Sequence, residues 1–125
     1  MEYKIGIEEY ATQKMIHVYL SGTLSESERL NIGVEIGRMC KENSINKAIF
    51  DIREAELGYS LMGSIQAVLG LSDLGMSEND YGAVIYSHNK DQLEYINDFA
   101  RKRGIINVGF FQDIERGIAW LVSRK

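Results

Sequence analysis

Residues 47–52, Lys47-Ala48-Ile49-Phe50-Asp51-Ile52, form a short β-branched and aromatic run, and an uncharged segment follows soon after. That segment is sixteen residues long, Leu57–Ser72, with the sequence LGYSLMGSIQAVLGLS, in a chain that is 26% charged. Such a gap in the charge predicts a surface hidden from water, either within the fold or against a partner or an apolar ligand. A strand that leads into a helix is where open α/β folds place their functional edge.

Length and composition predict a single domain spanning residues 1–125, with a cytoplasmic location. The chain has fourteen basic and eighteen acidic residues, which argues against nucleic-acid binding because phosphate binding requires a clustered positive field. One cysteine excludes an internal disulfide and fits a reducing compartment. The N-terminus has no apolar signal core, and the uncharged segment is shorter than the roughly 20 apolar residues of a membrane span. We therefore expect neither a secreted protein nor an integral membrane protein.

The first two elements are predicted as half-buried strands that form an antiparallel hairpin. Apolar and polar side chains alternate over Tyr3–Glu9 and again over Met15–Leu20, and a tight connection separates the two runs. Ser25 and Glu28 then form a capping box, which predicts a helix that continues to about Glu42.

The remainder of the chain alternates between strands and helices. Residues 47–52 are apolar on both faces except for Asp51, which is typical of a central parallel strand. The later elements are predicted as a helix over Ser60–Asp73, a strand over Tyr81–Tyr86, a helix opened by Asn89 and Gln92, a strand over Ile105–Phe111 and a helix capped by Asp113. The order ββαβαβαβα predicts a single α/β domain with an N-terminal β-hairpin and a mostly parallel sheet.

Ligands of such sheets bind at the carboxyl ends of the strands. The predicted edge for binding a partner or ligand comprises Asp51, Gly58, Tyr59, Ser60, Met62, Gly63, Ser87 and His88. The sequence contains no nucleophile elbow and no phosphate-binding loop, so no catalytic residue and no cofactor is assigned. The two histidines and Cys40 lack the close spacing of a metal site, and His17 and Cys40 are predicted to be packing or surface residues.

Ser60 has two interpretations. It is predicted to cap the uncharged helix, because serine is a preferred N-cap residue. It is also a candidate phosphosite, since a phosphate there would be stabilised by the helix dipole and would repel a partner docked on the adjacent apolar surface.

The segments KAIFDI, YGAVIYS and VGFFQDIERGIAWL, in this order of elements, resemble the STAS domain of anti-sigma-factor antagonists, and its SpoIIAA-like (STAS/SEC14) branch in particular. The antagonists carry a D-S-S-G motif at the start of the helix that follows this strand. Aligned without gaps from Asp51, the chain has Tyr59-Ser60-Leu61-Met62 there. Ser60 matches the first serine, and Leu61 stands where the phosphorylated serine would be. The resemblance implies the fold, the position of the working edge, and binding rather than catalysis.

Three functions follow from these observations. The first is a non-catalytic regulatory or protein-interaction module that binds an unknown protein partner through residues 58–71. The alternative is a carrier of a small apolar or lipid-like ligand, as the SEC14 comparison implies. The third is a hydrolase-type enzyme, which would require Ser60, His88 and Asp51 to converge. A homodimer through the first helix or the uncharged helix would also hide the apolar surface.

Overall fold

The computed structural model describes residues 2–57, 79–86, 90–102, 104 and 107–124 of the chain. The predicted uncharged helix lies outside these residues. The elements are β1 Glu2–Tyr10, β2 Gln13–Leu24, α1 Glu26–Asn43, β3 Lys47–Leu57, β4 Tyr81–Ile85, α2 Lys90–Lys102, β5 Val108–Phe111 and α3 Ile114–Val122. They follow the predicted α/β order, and no helix among the described residues is long and apolar enough to cross a membrane.

The predicted hairpin is confirmed, and a two-residue turn closes it. Ala11 and Thr12 have φ of 50° and 66°, the left-handed values of a type I′ turn, whose twist matches that of the flanking strands. Tyr10 pairs with Gln13 at the turn, and the antiparallel register continues to Glu2 opposite Ser21.

The five strands form one sheet in the order β1-β2-β3-β4-β5, parallel except for β1. The last pair between β3 and β4 is Asp51 with Ile85, whereas β3 continues to Leu57 alongside β2. The prediction of a strand ending at Ile52 was therefore too short, and we call residues 52–57 the β3 extension. A shift of register between Tyr19 and Ser21 of β2 gives β3 one extra residue within this extension.

Helices cover both faces of the sheet. On one face α1 packs over a core made of Ile16, Val18, Leu20, Ile32, Ile36, Ile45, Ala48 and Ala55. On the other face α3 packs over a second core made of Met15, Ile49, Ala83, Ile85 and Leu121. Met15 and Ile16 are both fully buried, so β2 is buried on both faces near its amino end. The prediction of a half-buried strand was wrong there.

Both predicted helix caps in the described part of the chain are confirmed. The Ser25 hydroxyl accepts from the Glu28 amide, and the Glu28 carboxylate accepts in turn from the Ser25 amide. The Asp113 carboxylate accepts from the Arg116 amide at 2.8 Å. Such caps satisfy amides that have no partner within the first helical turn.

Candidate functional site

Asp51 is the one residue of the predicted edge that the structure describes. It lies opposite Ile85, where β4 ends and the β3 extension begins, so it occupies the carboxyl end of the parallel sheet as predicted. The other predicted residues of the edge fall outside the described residues: Gly58, Tyr59, Ser60, Met62, Gly63, Ser87 and His88.

Asp51 is a buried carboxylate held by Arg53. Its residue surface is 4% exposed, and both of its oxygens accept from the Arg53 guanidinium, from Nε at 2.9 Å and from Nη2 at 2.7 Å. The Arg53 amide donates to Oδ1 as well. This two-pronged geometry is the strongest form of an arginine–carboxylate contact, and it fixes the direction of the guanidinium.

The electrostatics of the pair follow from this geometry. Burial tends to raise the pKa of Asp51, but the hydrogen bonds and charge of Arg53 outweigh it, and the pKa lies below its ordinary value. Asp51 is therefore ionised at neutral pH, and its acceptor positions are directed at Arg53. Such a carboxylate is suited to positioning a cation rather than to transferring a proton.

The Asp51–Arg53 pair lies at the register shift between β2 and β3. Tyr19 of β2 lies opposite Asp51, but Ser21 lies opposite Glu54, so the extra residue of β3 sits between these pairs. Arg53 contacts Asp51 from within this shift, and its side chain keeps 37% exposure. The guanidinium is partly open to solvent at the start of the β3 extension, beside the exposed Glu54.

A second polar group on this sheet face was not predicted from the sequence. The Tyr10 hydroxyl donates to Glu8 Oε2 at 2.5 Å and lies 3.2 Å from His17 Nδ1, which is itself 3.4 Å from Glu8 Oε2. The hydrogen bond from Tyr10 lowers the pKa of Glu8, while burial and Glu8 raise the pKa of Tyr10 to about 12. These residues meet only because of the hairpin register, which a count of residues from the two-residue turn could have supplied.

Cys40 and His17 were predicted from the sequence to be packing or surface residues, and both make contacts within the fold. Cys40 packs beside the α1 core, and burial raises the pKa of its thiol to about 11, which keeps it protonated. His17 makes the contacts with Tyr10 and Glu8 given above. Within the described ranges, no three His, Cys, Asp or Glu side chains are grouped to hold a metal ion.

No protein-family model and no curated protein matches the chain. Solved structures do match over nearly its whole length. An uncharacterised DUF3478-family protein from Shewanella loihica, described as having a SpoIIAA-like fold, gives a TM-score of 0.62 at 20% identity, covering 95% of this chain and 93% of its own. The chain has a SpoIIAA-like fold.

Two anti-sigma factor antagonists support the same assignment. The antagonist from Mycobacterium paratuberculosis gives a TM-score of 0.61 at 10% identity, covering 98% of this chain and 96% of its own. The antagonist SpoIIAA in its unphosphorylated form gives 0.57 at 11% identity, covering 95% and 97%. At these identities the likeness establishes the SpoIIAA-like fold, and it confirms the resemblance predicted from the order of elements.

Proposed function

We propose that this chain is a non-catalytic regulatory module of the cytoplasm that binds a protein partner at the carboxyl end of its sheet. The observation that carries the proposal is the Asp51–Arg53 pair at the start of the β3 extension, in a fold shared with anti-sigma factor antagonists. The pair presents a fixed, partly exposed guanidinium at this edge. Arginine with little freedom to reorient is among the residues most often found at the centre of protein interfaces.

The proposed contact surface begins at Arg53 and Glu54 and continues into the predicted edge. Its remaining members are Gly58, Tyr59, Ser60, Met62, Gly63, Ser87 and His88, which stay predictions. The chemistry of the described part favours a partner with a carboxylate for Arg53 and a cation for the exposed Glu54. Mixed charge of this kind contributes more to the choice of partner and the rate of association than to affinity.

Phosphorylation at Ser60 is the proposed regulation of this surface. SpoIIAA itself has solved structures in unphosphorylated and phosphorylated forms. In this proposal, a phosphate on Ser60 competes with the carboxylate of a partner for the Arg53 guanidinium. Replacing Ser60 with aspartate should weaken partner binding more than replacing it with alanine does.

A site-specific photo-crosslinker tests the location of the surface. Placed at Glu54 in the β3 extension, it should trap one protein in living cells. The matched control is the same crosslinker at Glu42, an exposed glutamate in the last turn of α1. Trapping of the same protein from both positions, or from neither, would contradict a partner surface at this edge.

The trapped partner then provides a quantitative assay with purified proteins. Glu54→Arg reverses a charge at the proposed surface, and Glu42→Arg makes the same change at the control position. We expect the first variant to raise the Kd about tenfold and the second to leave it unchanged.

Native mass spectrometry of the purified protein separates a partner-binding module from a ligand carrier, since a small apolar ligand retained by the folded chain would identify a carrier instead.

A further inference from the structure

The two edges of the sheet differ in how their backbone groups are used. At the β5 edge, the Asn97 side chain of α2 donates to the Phe110 carbonyl at 2.9 Å and accepts from the Phe110 amide at 3.0 Å. Both polar groups of this residue are thereby occupied, as on edges that natural sheets protect against pairing with another strand.

The β1 edge has no comparable cover in the described part of the chain, where β1 pairs with β2 alone. A two-residue type I′ turn is closed by a hydrogen-bonded pair, here Tyr10 with Gln13, and hydrogen-bonded and non-hydrogen-bonded pairs alternate along an antiparallel ladder. The outward amides and carbonyls of β1 therefore belong to Tyr3, Ile5, Ile7 and Glu9.

The sequence of β1 is complementary to itself when a second β1 is laid antiparallel with the symmetry axis at Gly6. The residues with outward backbone groups then lie opposite one another, and their side chains share one face of the sheet. Ile5 lies opposite Ile7 of the second copy, and Tyr3 lies opposite its Glu9. On the other face, Lys4 lies opposite Glu8 of the second copy. Twofold symmetry repeats each contact, so two ion pairs flank the axis.

Two neighbouring antiparallel registers also place the residues with outward backbone groups opposite one another, but they lack this complementarity. With the axis at Ile5, Glu2 lies opposite Glu8 of the second copy, and like charges directly opposite are destabilising. With the axis at Ile7, Ile5 lies opposite a glutamate and Lys4 opposite a tyrosine. Among these three registers, only the one with its axis at Gly6 pairs Lys4 with Glu8 and Ile5 with Ile7.

The side chains along this edge are accessible for such a contact. Tyr3 and Ile7 are 47% and 44% exposed, and Glu8 keeps 54% of its side-chain surface open. A Cβ at Gly6 would meet nothing within 4 Å, so space is open on that face at the axis position. The hydrogen bonds and ion pair of Glu8 go through Oε2, which leaves Oε1 directed to no described group.

We propose that the β1 edge binds a second copy of this chain, forming a symmetric dimer with one continuous ten-stranded sheet in which Lys4 pairs with Glu8 across the axis. Because Asn97 occupies the opposite edge, assembly stops at two chains and does not continue into a fibre. The dimer leaves the carboxyl end of the sheet available to the partner proposed above, and it does not depend on that proposal.

The first experiment measures mass in solution against concentration. Sedimentation equilibrium of the wild-type protein should show a dimer that dissociates on dilution. Ile7→Pro removes an outward amide without touching the ladder between β1 and β2, so a folded Ile7→Pro protein should be monomeric. Ile7→Thr keeps the amide and serves as the matched control. A monomeric wild type at every soluble concentration, or a dimer that survives Ile7→Pro, would overturn the proposal.

The second experiment tests the register and does not require a proline. Lys4→Glu and Glu8→Lys each place like charges opposite one another at both ion pairs, so each variant alone should dimerise at least about tenfold more weakly. An equimolar mixture restores both pairs in a heterodimer, with acidic side chains on one chain and lysines on the other. With one of the two variants uniformly labelled with ¹⁵N, native mass spectrometry distinguishes the heterodimer from both homodimers, and failure of the mixture to associate while the wild type dimerises would exclude this register.

Discussion

Lys47 and Asp51 are charged residues on the same face of β3, 5% and 4% exposed, yet they are stabilised in different ways. Lys47 donates at 2.5 Å to two neutral oxygens, Gln13 Oε1 and the Arg124 carbonyl, and burial lowers its pKa. Gln13 also donates to the Val122 carbonyl, so these contacts hold the end of α3 against the sheet, where a cation complements the helix dipole.

Asp51 instead has a full opposite charge as its partner, and that partner reaches solvent. Lys47, at the amino end of β3, thus uses a buried cation to fix a helix, while Asp51, opposite the end of β4, uses a buried anion to orient a cation at the surface. The comparison separates a buried charge that serves packing from one that holds a partly exposed guanidinium. Four predictions test it.

Arg53→Ala should have the largest effect on stability. It leaves the Asp51 carboxylate buried without a counter-charge, and we expect a loss of about 2–3 kcal/mol at neutral pH. The loss should shrink in acid, where Asp51 is protonated. Urea unfolding monitored by circular dichroism at several pH values measures both effects. A loss that is independent of pH would mean that the carboxylate is not the cause.

Lys47→Ala should cost about 2 kcal/mol, because Gln13 and Arg124 lose the donor that satisfies them. Lys47→Met is the matched control, since it keeps the packing and removes a charge that is costly to bury. It should therefore be less destabilising than alanine. Relative to Lys47→Met, the wild type should also gain stability as the pH approaches 10.5 from below, since the unfolded chain holds the Lys47 proton more tightly. An equal loss in both variants would show that the lost hydrogen bonds of Lys47, and not the packing of its side chain, account for the effect.

Asp51→Asn should cost about 1 kcal/mol, less than Arg53→Ala, because the arginine left behind can turn into solvent. The folded pKa of Asp51 is lower than 3.8, so its contribution is complete above that value and is lost as the pH falls through the folded pKa. The wild type and the variant should therefore converge in stability as the pH falls below the folded pKa of Asp51. Thermal unfolding between neutral and acid pH checks this, and a constant gap between the two proteins would be inconsistent with the ion pair.

Arg38→Ala should have the smallest effect. The Arg38–Glu42 pair lies on α1 with both side chains more than half exposed, and we expect a change below about 0.5 kcal/mol. The same unfolding assay measures it. A loss as large as that of Arg53→Ala would mean that burial does not explain the difference in stability between the two ion pairs.

Local signals made much of this fold predictable from the sequence. The hairpin follows from alternation, α1 from its capping box and α3 from the Asp113 cap. The β3 extension could not be predicted in this way, because its residues Arg-Glu-Ala-Glu-Leu have little intrinsic preference for a strand. It is extended because β2 pairs with it as far as Leu57, which is a long-range effect.

The candidate site was predictable only where one residue decided it. Asp51 stood out as the single charge among residues 48–52, and it lies opposite Ile85, the last residue of β4. Its partner Arg53 lies two residues further along the chain, and the sequence alone did not indicate that the two side chains pair. The group of Glu8, Tyr10 and His17 required the pairing of two strands, so it is a property of the sheet rather than of either segment.

The turn at Ala11 and Thr12 has a consequence for how this protein tolerates insertions and deletions. Its length sets which β1 side chains point to each face and which backbone groups point outward. One residue gained or lost there would move Ile5 from the α1 side to the opposite face and turn the amides of Lys4 and Glu8 outward. Surface turns usually accept changes in length, but this one acts as the reading frame of the first strand.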